Sequence, residues 1–365
     1  MLRHPGPSRS RLRRTALAAT ALIPLALGVA SAATAAAASG PSWRLVHSGT
    51  EASFRGLDAV SGRVAWASGS HGAVLRTVDG GRSFDRVGPA GTGRLQYRDI
   101  EAFDASSAVI MSVGNYPGSF RIYVTDNGGK RWTLAFHNRE PQAFYDCMSF
   151  FDRQRGLALS DPVNGKFRIL ATNDGGRSWQ VQSRAGMPAA LPGEFAFAAS
   201  GTCLVTKGPR DAWFATGGGR QARVFHSTDG GRTWTAVATP VRSGPTAGIY
   251  SLALRDRLHG LAVGGDFLTP DSAPRALALT SDSGRTWTLV GRAAAPGEYR
   301  SGSAWIPGTR GTALVVGPTG SDISTDGGFH WRKFDGGSFH AVDCAPDGAC
   351  WASGELGRIA KLVRR

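Results

Sequence analysis

The chain has 365 residues, 50 of them glycine, 9% aromatic residues and a formal net charge of +15. That length can bury a sizeable core, and glycine at this level with scattered aromatics fits many short strands joined by tight turns. The sequence has no Walker phosphate loop, no strand-linked G-x-G-x-x-G and no G-x-S-x-G elbow, which removes the common nucleotide-binding and hydrolase signatures.

Residues 1–38 read as a cleaved export signal. Arg3, Arg9, Arg11, Arg13 and Arg14 form a basic start with no acidic residue, an apolar run follows from about Ala16 to Ala30, and residues 31–39 hold several small-x-small cleavage sites. Pro24 and the Ala-rich character argue against an uncleaved anchor, so no transmembrane span is expected after cleavage. Arg13-Arg14 followed by Leu17 leaves general and twin-arginine export both open. Loss of the five leader arginines lowers the net charge from +15 to +10. For a basic protein in the periplasm or outside the cell, the acidic partners are membrane surface, anionic wall polymers or acidic protein loops, not nucleic acid.

The remaining sequence, 41–365, reads as one domain. It opens on Ser42-Trp43-Arg44-Leu45-Val46. The first repeat unit then runs through Phe54-Arg55-Gly56-Leu57-Asp58-Ala59, Val64-Ala65-Trp66-Ala67-Ser68-Gly69 and Ala73-Val74-Leu75-Arg76 to Thr77-Val78-Asp79-Gly80-Gly81-Arg82-Ser83-Phe84. This is four short strands with Gly and Asp turns, the content of one propeller blade. The last motif recurs around Asn127, Asp174, Asp229, Asp282 and Asp326, in steps of 48, 47, 55, 53 and 44 residues. A period near fifty in strand-like text predicts a propeller or array and not a helical solenoid.

The motif suits a hairpin between third and fourth strands. Its aspartate accepts backbone N–H bonds, its second glycine takes positive φ, and its tryptophan covers the turn and packs between sheets. After the sixth copy come three more strands, around Phe339–Cys344, Cys350–Gly354 and Gly357–Leu362, with no motif behind them. Ser42-Trp43-Arg44-Leu45-Val46 matches the text that follows a motif, Thr286-Trp287-Thr288-Leu289-Val290. The N-terminal strand is therefore expected to supply the outer strand of the last blade. This closes an all-β, seven-bladed β-propeller of four-stranded blades and removes the open sheet edges.

The six copies resemble the Asp-box, or BNR repeat. The resemblance implies that Asp79, Asn127, Asp174, Asp229, Asp282 and Asp326 are structural turn residues away from the ligand face. The layout of 42–365 also resembles exported seven-bladed propellers of the photosystem II stability and assembly factor family. That resemblance implies a non-catalytic assembly scaffold with an arginine patch.

First strands line the channel of a propeller. Their starts read Phe54-Arg55, Tyr97-Arg98, Tyr145-Asp146, Phe195, Tyr250-Ser251, Tyr299-Arg300 and Phe339-His340. Arg55, Arg98 and Arg300, with His340, are expected to meet at one mouth and bind a carboxylate, phosphate or acidic peptide. The other reading pairs each arginine with a neighbouring carboxylate such as Asp99 or Glu101. The resulting expectation is a monomeric binding scaffold for a protein partner or an anionic glycan or wall polymer, with no cofactor and no metal. The alternative is a sialidase-like glycoside hydrolase using two of Glu140, Asp161, Glu194 and Asp266, although the Arg-Ile-Pro signature of sialidases is missing. The four cysteines suit an oxidising compartment: Cys344 and Cys350 flank a turn, while Cys147 and Cys203 fall at corresponding places in successive units.

Overall fold

A computed structural model describes residues 40–364 apart from 115 and 117. Residues 1–38, read above as an export signal, lie outside the described residues. Seven four-stranded antiparallel sheets follow one another. Six are continuous in sequence, at 54–86, 96–137, 145–181, 204–238, 247–289 and 302–335. The seventh joins three strands within 341–363 to Ser42–Val46. We number these sheets as blades 1 to 7.

The outer strand of blade 7 pairs antiparallel with the C-terminal strand, from Ser42 opposite Val363 to Val46 opposite Ile359. The orphan half-motif thus closes the ring as expected. Trp43 is buried against Phe334 and Phe339. Its indole N–H donates to Ser321 Oγ at 2.9 Å, tying blade 7 to blade 6.

Second strands, such as Ala108–Val113 and Asp211–Ala215, are buried along their whole length. Both faces of an interior strand meet a neighbouring blade, so near-continuous apolar text replaces alternation there. The core is accordingly a series of clusters between blades. One joins Leu157 and Phe167 of blade 3 to Phe214, Phe225 and Trp234 of blade 4.

The Asp-box turns hold these clusters in register. Asp229 Oδ1 accepts the N–H groups of Arg232 and Thr233 at 3.0 and 2.9 Å, and its Oδ2 accepts the Thr233 hydroxyl at 2.6 Å. Ser227 Oγ donates to Asp229 at 2.9 Å and accepts the Gly231 N–H at 2.9 Å. Trp234 Nε1 donates back to the Gly231 carbonyl at 3.0 Å. The looser copies keep the scheme. Asn127 Oδ1 accepts the Arg131 N–H at 2.9 Å, and His330 Nδ1 takes the hydroxyl's place on Asp326 at 2.6 Å. Gly231 sits at φ +84°, and a Cβ there would lie 2.7 Å from Leu157 of the preceding blade. The fifth motif position thus needs glycine twice over, for its backbone and for the close approach.

Both cysteine pairs form disulfides, Cys147–Cys203 between blades 3 and 4 and Cys344–Cys350 across a hairpin turn. Among the described residues no helix is long and apolar enough to cross a membrane.

Candidate functional site at the channel mouth

Four first strands carry a β-bulge at the same place. The register slips between Phe54 and Gly56, Tyr97 and Asp99, Tyr145 and Cys147, and Ile249 and Ser251. The unpaired residues are Arg55, Arg98, Asp146 and Tyr250. Blades 6 and 7 place Ser301 and His340 equivalently, each donating its N–H to the residue paired with its successor. A bulge re-aims its side chain out of the pleat. Here it points the chain's polar groups toward the channel, while the residue just before the bulge packs between blades.

Arg55 and Arg98 meet in this way. Arg98 donates to the Ala198 carbonyl at 3.1 Å and Arg55 to that of Ala199 at 3.4 Å, both in the loop that leads into blade 4. Among the described residues neither forms an ion pair. Burial, then the charge of Arg55, pushes Arg98 down to about 10, and burial likewise lowers Arg55. Both remain cationic at neutral pH. His340 stands beside them, 4% exposed. Burial, then Arg55 and Arg98, pushes it down to about 3, so it is neutral. Its Nε2 lies 3.2 Å from Glu355 without making a hydrogen bond. The mouth also holds an aromatic group, with Phe197 stacked on Tyr250 at 3.9 Å and Tyr299 edge-on to Tyr250 at 4.8 Å.

Arg300 is placed differently from the expectation. In blade 6 the text is shifted by one residue, so Arg300 occupies the position of Phe54 and Phe339, and Ser301 takes the place of Arg55. A one-residue slip in a strand turns a side chain to the opposite face. Arg300 is 1% exposed, and its guanidinium holds Asp322 at 2.6 Å and Glu298 at 3.0 Å. Asp99 and Glu101 do not pair with the arginines. Asp99 accepts the Met148 N–H at 2.6 Å, and Glu101 bonds the Phe150 backbone of the next blade.

Three of the four loop carboxylates are separately engaged, and the fourth, Asp161, is coupled to Asp146. Glu194 is held by Arg223 Nε at 2.8 Å and by the Thr216 hydroxyl at 2.7 Å. Asp266 accepts the Thr246 hydroxyl and the Leu268 N–H at 2.8 and 3.0 Å, as a turn residue does. Glu140 caps its own turn and lies 3.7 Å from Arg168, lining a cleft of ≈ 520 Å³ with Phe120 and Phe144. Asp161 lines a pocket of ≈ 530 Å³ with Glu194, but it accepts the Ala196 N–H at 2.8 Å and shares a proton with the neighbouring carboxyl of Asp146. Burial pushes Asp161 up to about 7, and burial, then the charge of Asp161, raises Asp146. Among the described residues no group of three or more His, Cys, Asp or Glu could hold a metal ion.

Asp146 stands among the first-strand starts in the sequence but was not expected at the site, and nothing in the sequence pointed to the Ala198–Ala199 carbonyls. The signal for Asp146 was its place in the repeat, in line with Arg55 and Arg98. The carbonyls lie in the longest interval between motifs, where the repeat is interrupted.

The BNR/Asp-box repeat family matches residues 225–236. The fold is that of an Asp-box propeller. Among solved structures, this propeller is similar to YCF48 bound to D1 peptide, with a TM-score of 0.62, 14% identity and coverage of 88% of this chain and 97% of that one. YCF48 from Cyanidioschyzon merolae gives a TM-score of 0.61 at 17% identity, covering 87% of the propeller chain and 98% of its own. The WD40 β-propeller domain of Doa1 gives 0.58 at 11% identity, covering 89% and 97%. No curated protein matches the sequence.

Proposed function

We propose that the propeller is an exported, non-catalytic scaffold whose channel mouth binds an acidic segment of a protein partner. The observation that carries this reading is the pair Arg55 and Arg98, half-buried and side by side with no carboxylate on either. Guanidinium groups bind carboxylates through strong charge-assisted, often bidentate bonds, and partial burial strengthens them. Of the aromatic group beside them, Tyr250 and Tyr299 offer contact area of the kind that anchors interfaces. A propeller of the same fold carries a bound peptide, which supports a protein ligand over an anionic glycan or wall polymer. Two disulfides among the described residues fit an oxidising compartment. The separate engagement of Glu140, Glu194 and Asp266 argues against the sialidase-like alternative, which needs two free carboxylates about 5–10 Å apart.

The test is pull-down from the native envelope with the mature chain and with Arg55→Ala and Arg98→Ala. Each substitution should lower partner recovery at least about tenfold, in line with loss of one charge-assisted contact. Equal recovery from all three proteins, or turnover of a sialoside by the wild type, would remove this reading. Soluble acidic polysaccharide added as competitor separates a glycan ligand from a protein one.

A further inference from the structure

Blade 4 departs from the others where the bulge belongs. Phe195 pairs with Gly217, and the Cys203 carbonyl accepts the Ala215 N–H. Residues 196–202 therefore stand opposite Thr216 alone, where the neighbouring blades insert a single residue. This loop crosses the channel. Its Ala196 N–H is held by Asp161 of blade 3, its Ser200 hydroxyl donates to the Ser301 carbonyl of blade 6 at 2.7 Å, and Phe197 stacks on Tyr250 of blade 5. Its far end is anchored by the Cys147–Cys203 disulfide. At its centre two successive carbonyls, of Ala198 and Ala199, take one hydrogen bond each from Arg98 and Arg55.

We propose that the loop at 196–202 is an internal surrogate ligand, and that an acidic peptide binds by displacing it from Arg55 and Arg98. The proposal rests on the reading of these arginines as the partner site and adds how that site is regulated. Two neutral carbonyls give neither guanidinium an ion pair, and the charge of Glu355 acts on Arg55 only from beyond ion-pair distance, so the loop satisfies hydrogen bonding and not charge. A carboxylate supplies both, and charge-assisted bonds are roughly twice as strong as neutral ones. Successive carbonyls on two arginines also mark the place as one shaped for extended peptide backbone. Little of the loop is sheet: the Ala199 N–H bonds only to the Phe197 carbonyl two residues back and the Thr202 carbonyl takes the Leu252 N–H at 2.9 Å, so its seat rests on the buried Phe197, Ala199 and Ser200, which the peptide must displace. The loop thus competes with the partner, and apparent affinity is reduced by the fraction of molecules in which it is seated.

The experiment measures binding of a fluorescein-labelled octapeptide rich in Asp and Glu by anisotropy, with hydrogen exchange at 196–202. Phe197→Ala and Ser200→Ala each remove one loop anchor and should tighten binding by about threefold or more. Peptide should speed exchange in the wild-type loop. Unchanged or weaker binding by both variants, or slower loop exchange with peptide, overturns the proposal and makes the loop a wall of the site. If Phe197→Ala fails to fold, Ser200→Ala with the exchange measurement decides alone. Undiminished binding by Arg55→Ala and Arg98→Ala would instead sink the partner-site reading. Absence of peptide binding to wild type and to both loop variants overturns the surrogate role.

Discussion

Gly231 and Arg300 show how much depends on one atom or one place in the register. Alanine at position 231 would take a left-handed backbone and push a methyl carbon to 2.7 Å from Leu157. Gly231→Ala should therefore destabilise the propeller by about 1–3 kcal/mol, read from the urea midpoint, because strain and overpacking add. The same substitution at Gly230, with nothing within 4 Å of a new Cβ, isolates the backbone part of that cost. Arg300 carries the same lesson for the site. It follows an aromatic residue as Arg55 and Arg98 do, but the strand is displaced by one residue, and its charge is neutralised inside the protein by Asp322 and Glu298.

The strand Ser42–Val46 is short, yet it completes a sheet and closes a ring. Without it the C-terminal strand of blade 7 would present an unpaired edge. Trp43 adds buried contacts with Phe334 and Phe339 and a bond to blade 6. Deleting 42–46 should lower the melting temperature sharply. Trp43→Ala alone should cost about 3–5 kcal/mol, the range for loss of a large buried aromatic. A protein lacking 42–46 that melts with one retaining them would rule out closure by this strand.

Across the molecule, the channel wall is polarised. Arg55, Arg98 and His340 stand at the mouth, and carboxylates follow further along the same first strands. Asp343 accepts the Ala59 N–H and Asp58 the Ala102 N–H, each at 2.7 Å, so the carboxylates tie successive blades together. Burial first, then the repulsion of neighbouring carboxylates, raises Asp58 and Glu101, and burial pushes Asp99 up to about 7. Acids raised in the folded state bind more protons folded than unfolded between about pH 4 and their folded values, so stability falls as pH rises through that window. His340, pushed down to about 3, acts in the opposite sense below about pH 6.5. From pH 6.5 to 8 the carboxylate effect outweighs what remains of the His340 one. The melting temperature should therefore drop by a few degrees over that interval. Asp99→Asn should flatten the drop. A melting temperature that rises from pH 6.5 to 8 would contradict the buried acid belt.

Local text was enough for the blades, because each Asp-box is a self-contained turn. Asp229, its two acceptor oxygens, the Ser227 hydroxyl and the Gly231 backbone lie within five residues of one another, so spacing alone specifies their bonds. Ring closure was legible for a related reason: Trp43 repeats the text of Trp287 without its turn. The channel mouth was legible only in part. Arg55 and Arg98 could be placed by analogy between repeats, but which residue faces the channel depends on a bulge, and a bulge is a property of two paired strands. Only the tertiary structure turned Arg300 inward and set Asp146 against Asp161. It also brought Ala198 and Ala199, a hundred or more residues away in sequence, onto the two arginines. Turns follow from short-range chemistry, whereas the channel site is assembled from first strands of different blades, whose register is decided by the packing of the whole ring.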